Sequence, residues 1–242
     1  MAAVAKFLRT SGLEPLASAT LGWDPRTRSV PALSAAIVVF VIGYVIGQIL
    51  FNISKQLLQQ PIRDYVLEFV KTMTLCTYPF GFGILRKYYG ETGFLLGAIP
   101  LLTLTLLTLP GADGNPMVVW VKYFGKGINL RTCLIKTIVQ LIAGLSAYRL
   151  GLLIMGLELH PVYLDRLAGH TKGTCASALK VPLHVGMVAE MLGAAHVTWV
   201  SSQRLAGNPV LDMAVKVTNL ALTLSAGKAT LYLYNCTVRL IS

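Results

Sequence analysis

The chain has 242 residues, of which 55% are hydrophobic and 13% charged, against roughly one quarter charged in an average soluble domain. Lysine and arginine total 21 against 10 acids, a formal charge of +11. These cations lie between long uncharged runs and form no continuous stripe, which argues against a nucleic-acid face and for membrane flanks. Four cysteines (Cys76, Cys133, Cys175 and Cys236) show no CxxC or Cys/His grouping, so neither a disulfide scaffold nor a zinc site is indicated and no cofactor is expected.

In chain order, the first 31 residues hold Lys6, Arg9, Arg26 and Arg28 with only Glu14 and Asp24, which raises an organelle-targeting peptide as one reading. The apolar run that follows starts late and is long, which favours an uncleaved anchor. A bilayer core needs about 20 apolar residues in helix. Ala32 to Phe51 and Thr92 to Ala112 meet that without a charge, and weaker spans follow at Tyr65 to Leu85, Thr132 to Leu157, Val181 to Gln203 and Val210 to Gly227. Polar breaks are expected at Asn52 to Asp64, Arg86 to Glu91, Asp113 to Arg131, Glu158 to Lys180 and Arg204 to Pro209. Asn52-Ile53-Ser54 matches a glycosylation pattern but abuts the first span, so it reads as chance.

Acids inside the spans mark an internal repeat, because a carboxylate in a membrane is costly and functional by default. Only Glu68 and Glu190 lie well inside apolar context, and Asn115 and Asn235 follow them after 47 and 45 residues. Each asparagine opens an apolar segment too short to span. Two halves of this form are the pattern of an inverted-repeat channel or transporter. Half-helices meeting at mid-membrane would point their amino ends, with positive dipole and free N–H groups, at a pore. Asparagine caps such a helix and proline suits its first turn; Asn115-Pro116 meets both requirements. Asn208-Pro209 precedes a full span and reads as an interhelical turn.

At these residues the chain resembles the aquaporin (major intrinsic protein) family, and within it the unorthodox branch of vertebrate aquaporins eleven and twelve. Gly111-Ala112-Asp113-Gly114-Asn115-Pro116-Met117 stands where the family has Gly-Ala-His-x-Asn-Pro-Ala. Val66-Leu67-Glu68-Phe69 with Thr72, and Gln140-Leu141 with Gly144, look like two of its core helices, and Ser225-Ala226-Gly227 leads to Tyr234-Asn235-Cys236-Thr237 in place of the second signature. The resemblance implies an all-α, polytopic transmembrane helical bundle with two re-entrant half-helices. It divides the chain into 1–63 (tail and extra membrane helix), 64–180 (first repeat) and 181–242 (incomplete second repeat). It further implies passive passage of water or a small neutral solute such as glycerol or hydrogen peroxide. Asn115, Pro116 and Met117 would form the first pore motif and Asn235, Cys236 and Thr237 the second. Glu68 and Glu190 would hold pore-loop backbone, and an endoplasmic reticulum membrane is the implied location, ahead of plasma or other organelle membranes.

The chain departs from this pattern in its second half. Cys236 and Thr237 replace proline and alanine, and the position of the family's filter arginine is Val238, with Arg239 about 100° around a helix. The sequence stops at Ser242, so the expected form is a repeat cut short at its C-terminus that conducts poorly as an isolated monomer. Two competing readings are a non-conducting membrane scaffold or assembly subunit, with a homo-oligomer or partner helices, and a proton-coupled transporter using Glu68 and Glu190. The latter is weaker because neither acid has an evident basic partner. Lys71 is expected to pair locally with Glu68 or to snorkel, and Gly43-x-x-x-Gly47 permits close helix contact. Loop charges leave the orientation open. No nucleophile with its base and no phosphate-cradling loop is present, so an enzyme is not expected.

Overall fold

The computed structural model describes residues 6–8, 10–11, 13–24, 29–171, 182–203 and 206–223. Helices dominate these residues and no strand occurs among them; Asp24 and Ser29 form an isolated antiparallel bridge. The elements are α1 (Glu14–Leu21), α2 (Ala32–Leu57), α3 (Ile62–Thr108), α4 (Pro116–Phe124), α5 (Leu130–Met155), α6 (Pro161–Thr171) and α7 (Leu183–Ser202), followed by α8 over 209–223. Three of them, α2, α3 and α5, are long and apolar enough to cross a membrane. The chain falls into two compact units, 1–94 with 109–175 and 95–108 with 176–242.

α2 shows why these helices suit a bilayer. One face, Ala35, Ala36, Val39, Phe40, Gly43 and Gly47, is buried at the three-and-four spacing of a helix. The other face presents Leu33, Ile37, Val41, Val45 and Ile49, each at least 44% exposed. A continuous apolar surface of that length has no place in water and matches lipid.

The small residues on the inner face let α3 approach. A Cβ at Gly47 would collide with the Thr74 hydroxyl, and one at Gly43 would sit 3.3 Å from Thr77 Cγ2. Thr74 and Thr77 turn their hydroxyls onto the carbonyls of Val70 and Met73 in their own helix, so the hydroxyls are satisfied within α3 while the threonine side chains lie close against the α2 backbone. The same device recurs where the ring of Phe40 fills the space over Gly81 and that of Phe80 the space over Gly151.

Three boundaries differ from the sequence expectation. The break expected at Arg86 to Glu91 narrows to a single residue within it: α3 continues to Tyr89 and turns at Gly90, whose φ of 65° and ψ of −161° no helix tolerates. The arm before Gly90, 62–89, measures about 42 Å, longer than a hydrocarbon core of about 30 Å. Its polar end at Arg86 is tied across the turn to Glu91 at 3.1 Å and lies over the Phe94 ring. The run expected to reach Ala112 stops at Thr108, because Pro110 disfavours helix in the residue before it and Gly111 takes φ +86°. The polar stretch from Glu158 contains α6, whose Val162 and Tyr163 are buried.

α6 fastens one end of the first unit. Tyr163 donates its hydroxyl to the carbonyl of Ala35 at 2.6 Å, Val30 N–H bonds Leu159 O at 2.9 Å, and Arg166 donates to Phe80 O at 3.1 Å. Burial pushes the Tyr163 pKa up against the opposing charge of Arg166, which keeps its donor proton in place. His160 is buried beside Tyr88, and its Nδ1 accepts from Val162 N–H at 3.2 Å. Burial, with the charge of Lys87, lowers its pKa.

In the second unit, His196 Nε2 lies 3.1 Å from Asn219 Oδ1, joining α7 to α8. Asn208 caps α8 by accepting from Val210 N–H at 2.8 Å, and Lys216 pairs with Asp212 at 2.8 Å. Asn208-Pro209 thus opens a helix after a turn, as expected.

Two outcomes follow. Gly47→Leu should lower stability by about 1–3 kcal/mol through overpacking against Thr74, read by thermal unfolding in detergent; an unchanged midpoint would show that α2 and α3 do not depend on this contact. For His160, a lowered folded pKa means that the unfolded chain binds the proton more readily, so stability falls as pH drops through about 6.5 and levels off below the folded value. His160→Gln should flatten that part of the pH profile.

Candidate functional site: a loop clamped by Glu68

The loop between α3 and α4 is fixed from four sides. Leu109 is fully buried with Phe51, Leu67 and Val70. Lys71 is 5% exposed and donates to the carbonyl of Ala112 at 2.8 Å. This differs from the expected local pair or snorkelling stem: the ammonium points at a loop carbonyl, and the lysine stem packs beneath Gly114. A Cβ at Gly114 would sit 3.1 Å from Lys71 Cγ, and its φ is +69°, so glycine is required twice over.

Glu68 provides the third side. Its side chain has no exposed surface, and its two oxygens accept from Asp113 N–H at 2.8 Å and Gly114 N–H at 2.9 Å. Oε1 also accepts from Lys136 Nζ at 2.8 Å and Oε2 from Gln140 Nε2 at 3.1 Å. A buried carboxylate survives only when paired and fully hydrogen-bonded, and here four donors meet it. Lys136 and Gln140 are four residues apart on α5, so one helix face supplies two of them.

Asp113 is the fourth side. Its carboxylate receives Lys136 at 2.8 Å on one oxygen and Lys122, from the last turn of α4, on the other. Burial alone would raise its pKa, but the hydrogen bonds from Lys122 and Lys136 together outweigh that and hold it below the ordinary carboxylate value. Lys136 therefore bridges Glu68 and Asp113. The transporter reading was discounted because Glu68 had no evident basic partner; Lys136 is that partner, 68 residues away in sequence.

The loop delivers the chain to α4. Asn115 is extended (φ −148°, ψ 127°), its side-chain oxygen accepts from Met117 N–H at 2.9 Å, and Pro116 occupies the first helical turn. The cap uses only Oδ1; the amide N–H groups of the exposed Asn115 side chain have no partner among the described residues. Met117 is 43% exposed. At its far end α4 carries a contiguous aromatic group, Trp120, Tyr123 and Phe124, beside Lys122.

The structure thus brings Glu68, Asn115, Pro116 and Met117 into one neighbourhood and adds Lys71, Asp113, Lys122, Lys136 and Gln140. Asp113 and Gln140 stood in quoted motifs without a role. Lys122 and Lys136 were the missed members, and for Lys136 the available signal was a cation with a glutamine four residues on inside an apolar span. Glu190 lies in α7, with its side chain outside the described parts, and Asn235, Cys236, Thr237, Val238 and Arg239 lie outside the described residues. Among the described residues no group of His, Cys, Asp and Glu could hold a metal. No protein-family model matches this chain, and no curated protein or solved structure matches it either.

Glu68→Leu should cost about 3–5 kcal/mol, since it strands the loop N–H groups and unbalances a buried cation. Glu68→Gln keeps an acceptor and leaves Lys136 on Asp113, so a smaller loss of about 1–3 kcal/mol is expected. Equal thermal midpoints for wild type and the leucine variant would remove the clamp from the stability account. The depressed pKa of Asp113 gives stability that is complete above the usual carboxylate value near 4 and is lost as pH falls through the folded value; Asp113→Asn should remove that acid-sensitive increment.

Proposed function

We propose that this chain is a membrane channel of aquaporin-like design that lets water or another small neutral solute cross passively. The observation that carries the reading is the sequence of contacts from Glu68 to Asn115: a buried carboxylate grips two consecutive loop N–H groups, and the next residue caps a nine-residue helix. The depths of the partners support a re-entrant loop. Glu68 lies six residues, or about 9 Å, along α3, and Gln140 lies ten residues, or about 15 Å, along α5, while α4 runs from that level to an aromatic and lysine-bearing end of interfacial character.

A short helix whose approach loop is clamped between membrane helices, with its amino end open at Asn115 and Met117, offers free N–H groups and the positive dipole end to a solute. Asn115 adds two amide donors there. Such a terminus favours the oxygen of a neutral solute and disfavours cations. The clamp's role is positional: without the Glu68 bonds, the loop N–H groups would need other acceptors and the helix start would shift. Asn235, Cys236 and Thr237 would furnish the facing terminus and Glu190 its support, with Val238 and Arg239 near the filter. An endoplasmic reticulum membrane is the proposed location.

The experiment is light scattering from proteoliposomes under an osmotic step. The reading expects shrinkage severalfold faster than in protein-free vesicles, independent of pH gradients. Asn115→Asp preserves the cap but places a carboxylate at the solute position, so it should abolish the increment while the protein stays folded. Flux that needs a pH gradient would establish a transporter instead, and folded protein without flux would favour the scaffold reading.

A further inference from the structure

The end of the first unit where α2 stops and α3 and α5 start holds an open cavity of about 680 Å³. Its walls carry three cations, Lys55, Arg63 and Lys136, against one acid, Asp64. Lys136 is committed to Glu68 and Asp113 behind the wall. Arg63 keeps only a 4.0 Å contact with Asp64, both side chains being partly exposed. Lys55 is exposed and has no partner among the described residues. Two cationic heads are therefore available to a ligand at the mouth, and Phe51 and Leu67, part of a buried apolar cluster, form an inner wall.

The chain beside this cavity, 52–62, mixes polar and apolar residues. Ile53, Leu57 and Ile62, which flank the cationic positions in sequence, are 47%, 76% and 62% exposed. Two available basic heads beside an apolar inner wall, at the ends of helices long enough to cross a membrane, match an amphiphile with an anionic head. A free anion would use the cations and leave the apolar wall of Phe51 and Leu67 unexplained. We propose that this cavity seats the phosphate headgroup of one anionic phospholipid, held by Lys55 and Arg63, with its acyl chains passing into the surrounding bilayer. The inference rests on α2 and α3 crossing a membrane and not on solute passage.

Native mass spectrometry of the intact chain in detergent tests it, with phosphatidylglycerol and phosphatidylcholine supplied at equal mole fraction. One retained phosphatidylglycerol, preferred over phosphatidylcholine by about tenfold or more, is expected, with about fivefold lost per cation removed in Lys55→Gln and in Lys55→Gln/Arg63→Gln. Lys126→Gln/Arg131→Gln, which alters two charges outside the cavity walls, should leave retention unchanged. Equal retention of the two lipids would overturn the proposal. So would an equal loss in the Lys126/Arg131 variant, which would make the effect diffuse surface charge, or displacement of the lipid by millimolar inorganic phosphate, which would make the site one for a free anion. The single Lys55 variant decides alone if the double variant fails to fold. Osmotic flux is not part of the readout, so this proposal and the channel reading fail separately.

Discussion

One carboxylate sets the geometry on which the rest of the first unit depends. Glu68 accepts two consecutive loop N–H groups, a lysine and a glutamine, so α3, α5 and the loop before α4 share a single point of attachment. Moving a charge out of water costs several kcal/mol, and a pair of ions alone seldom recovers it. The arrangement recovers it by satisfying every oxygen with a donor whose own position is fixed: two by backbone, two by the same face of α5. Replacing the group with well-packed hydrocarbon could yield an equally stable bundle, but it would leave the loop without a register.

The register matters because α4 is short. Nine residues of helix are marginal alone, and only tertiary contacts keep such a segment in one place. Glu68 and Lys71 hold its approach, Asn115 its first turn and the Lys122–Asp113 pair its last turn. The pair closes back on the loop that begins the helix, so both ends of α4 are referred to the same buried acid. A helix end that is to bind a partner must hold its donors within fractions of an ångström, and this is a means of doing so with few residues.

Much of this was visible in the chain before the fold was known, and the reason differs from element to element. The spans of α2, α3 and α5 follow from run length, which the bilayer imposes locally. The Asn115-Pro116 start of α4 follows from cap chemistry confined to three residues. Glu68 stood out as an acid among apolar neighbours, but its donors did not, because Lys136 and Gln140 reach it only through the packing of α3 against α5. The polar run Arg86 to Glu91 marked the turn but not its length, because helix propensity carries the chain to Tyr89 and one glycine, Gly90, makes the bend. α6 was missed because Pro161 to Thr171 mixes charges with few apolar residues; Tyr163 reaches Ala35 of α2 and Arg166 reaches Phe80 of α3, links that no local pattern reveals.

The bond from Tyr163 to the carbonyl of Ala35 joins residues 128 apart, and it bears on the order in which the protein is made. Synthesis proceeds from the amino end, so α2 enters the membrane long before the partner of its first turn exists. During that interval α3, the next helix to emerge, can cover its small-residue face through Gly43 and Gly47. The α2–α3 contact is thus complete in the chain before α6 is made, and α6 is a late fastener in sequence order. Biogenesis machinery that shelters one unpaired helix for the time needed to translate the next would be enough to protect this chain; nothing need hold α2 until α6 arrives.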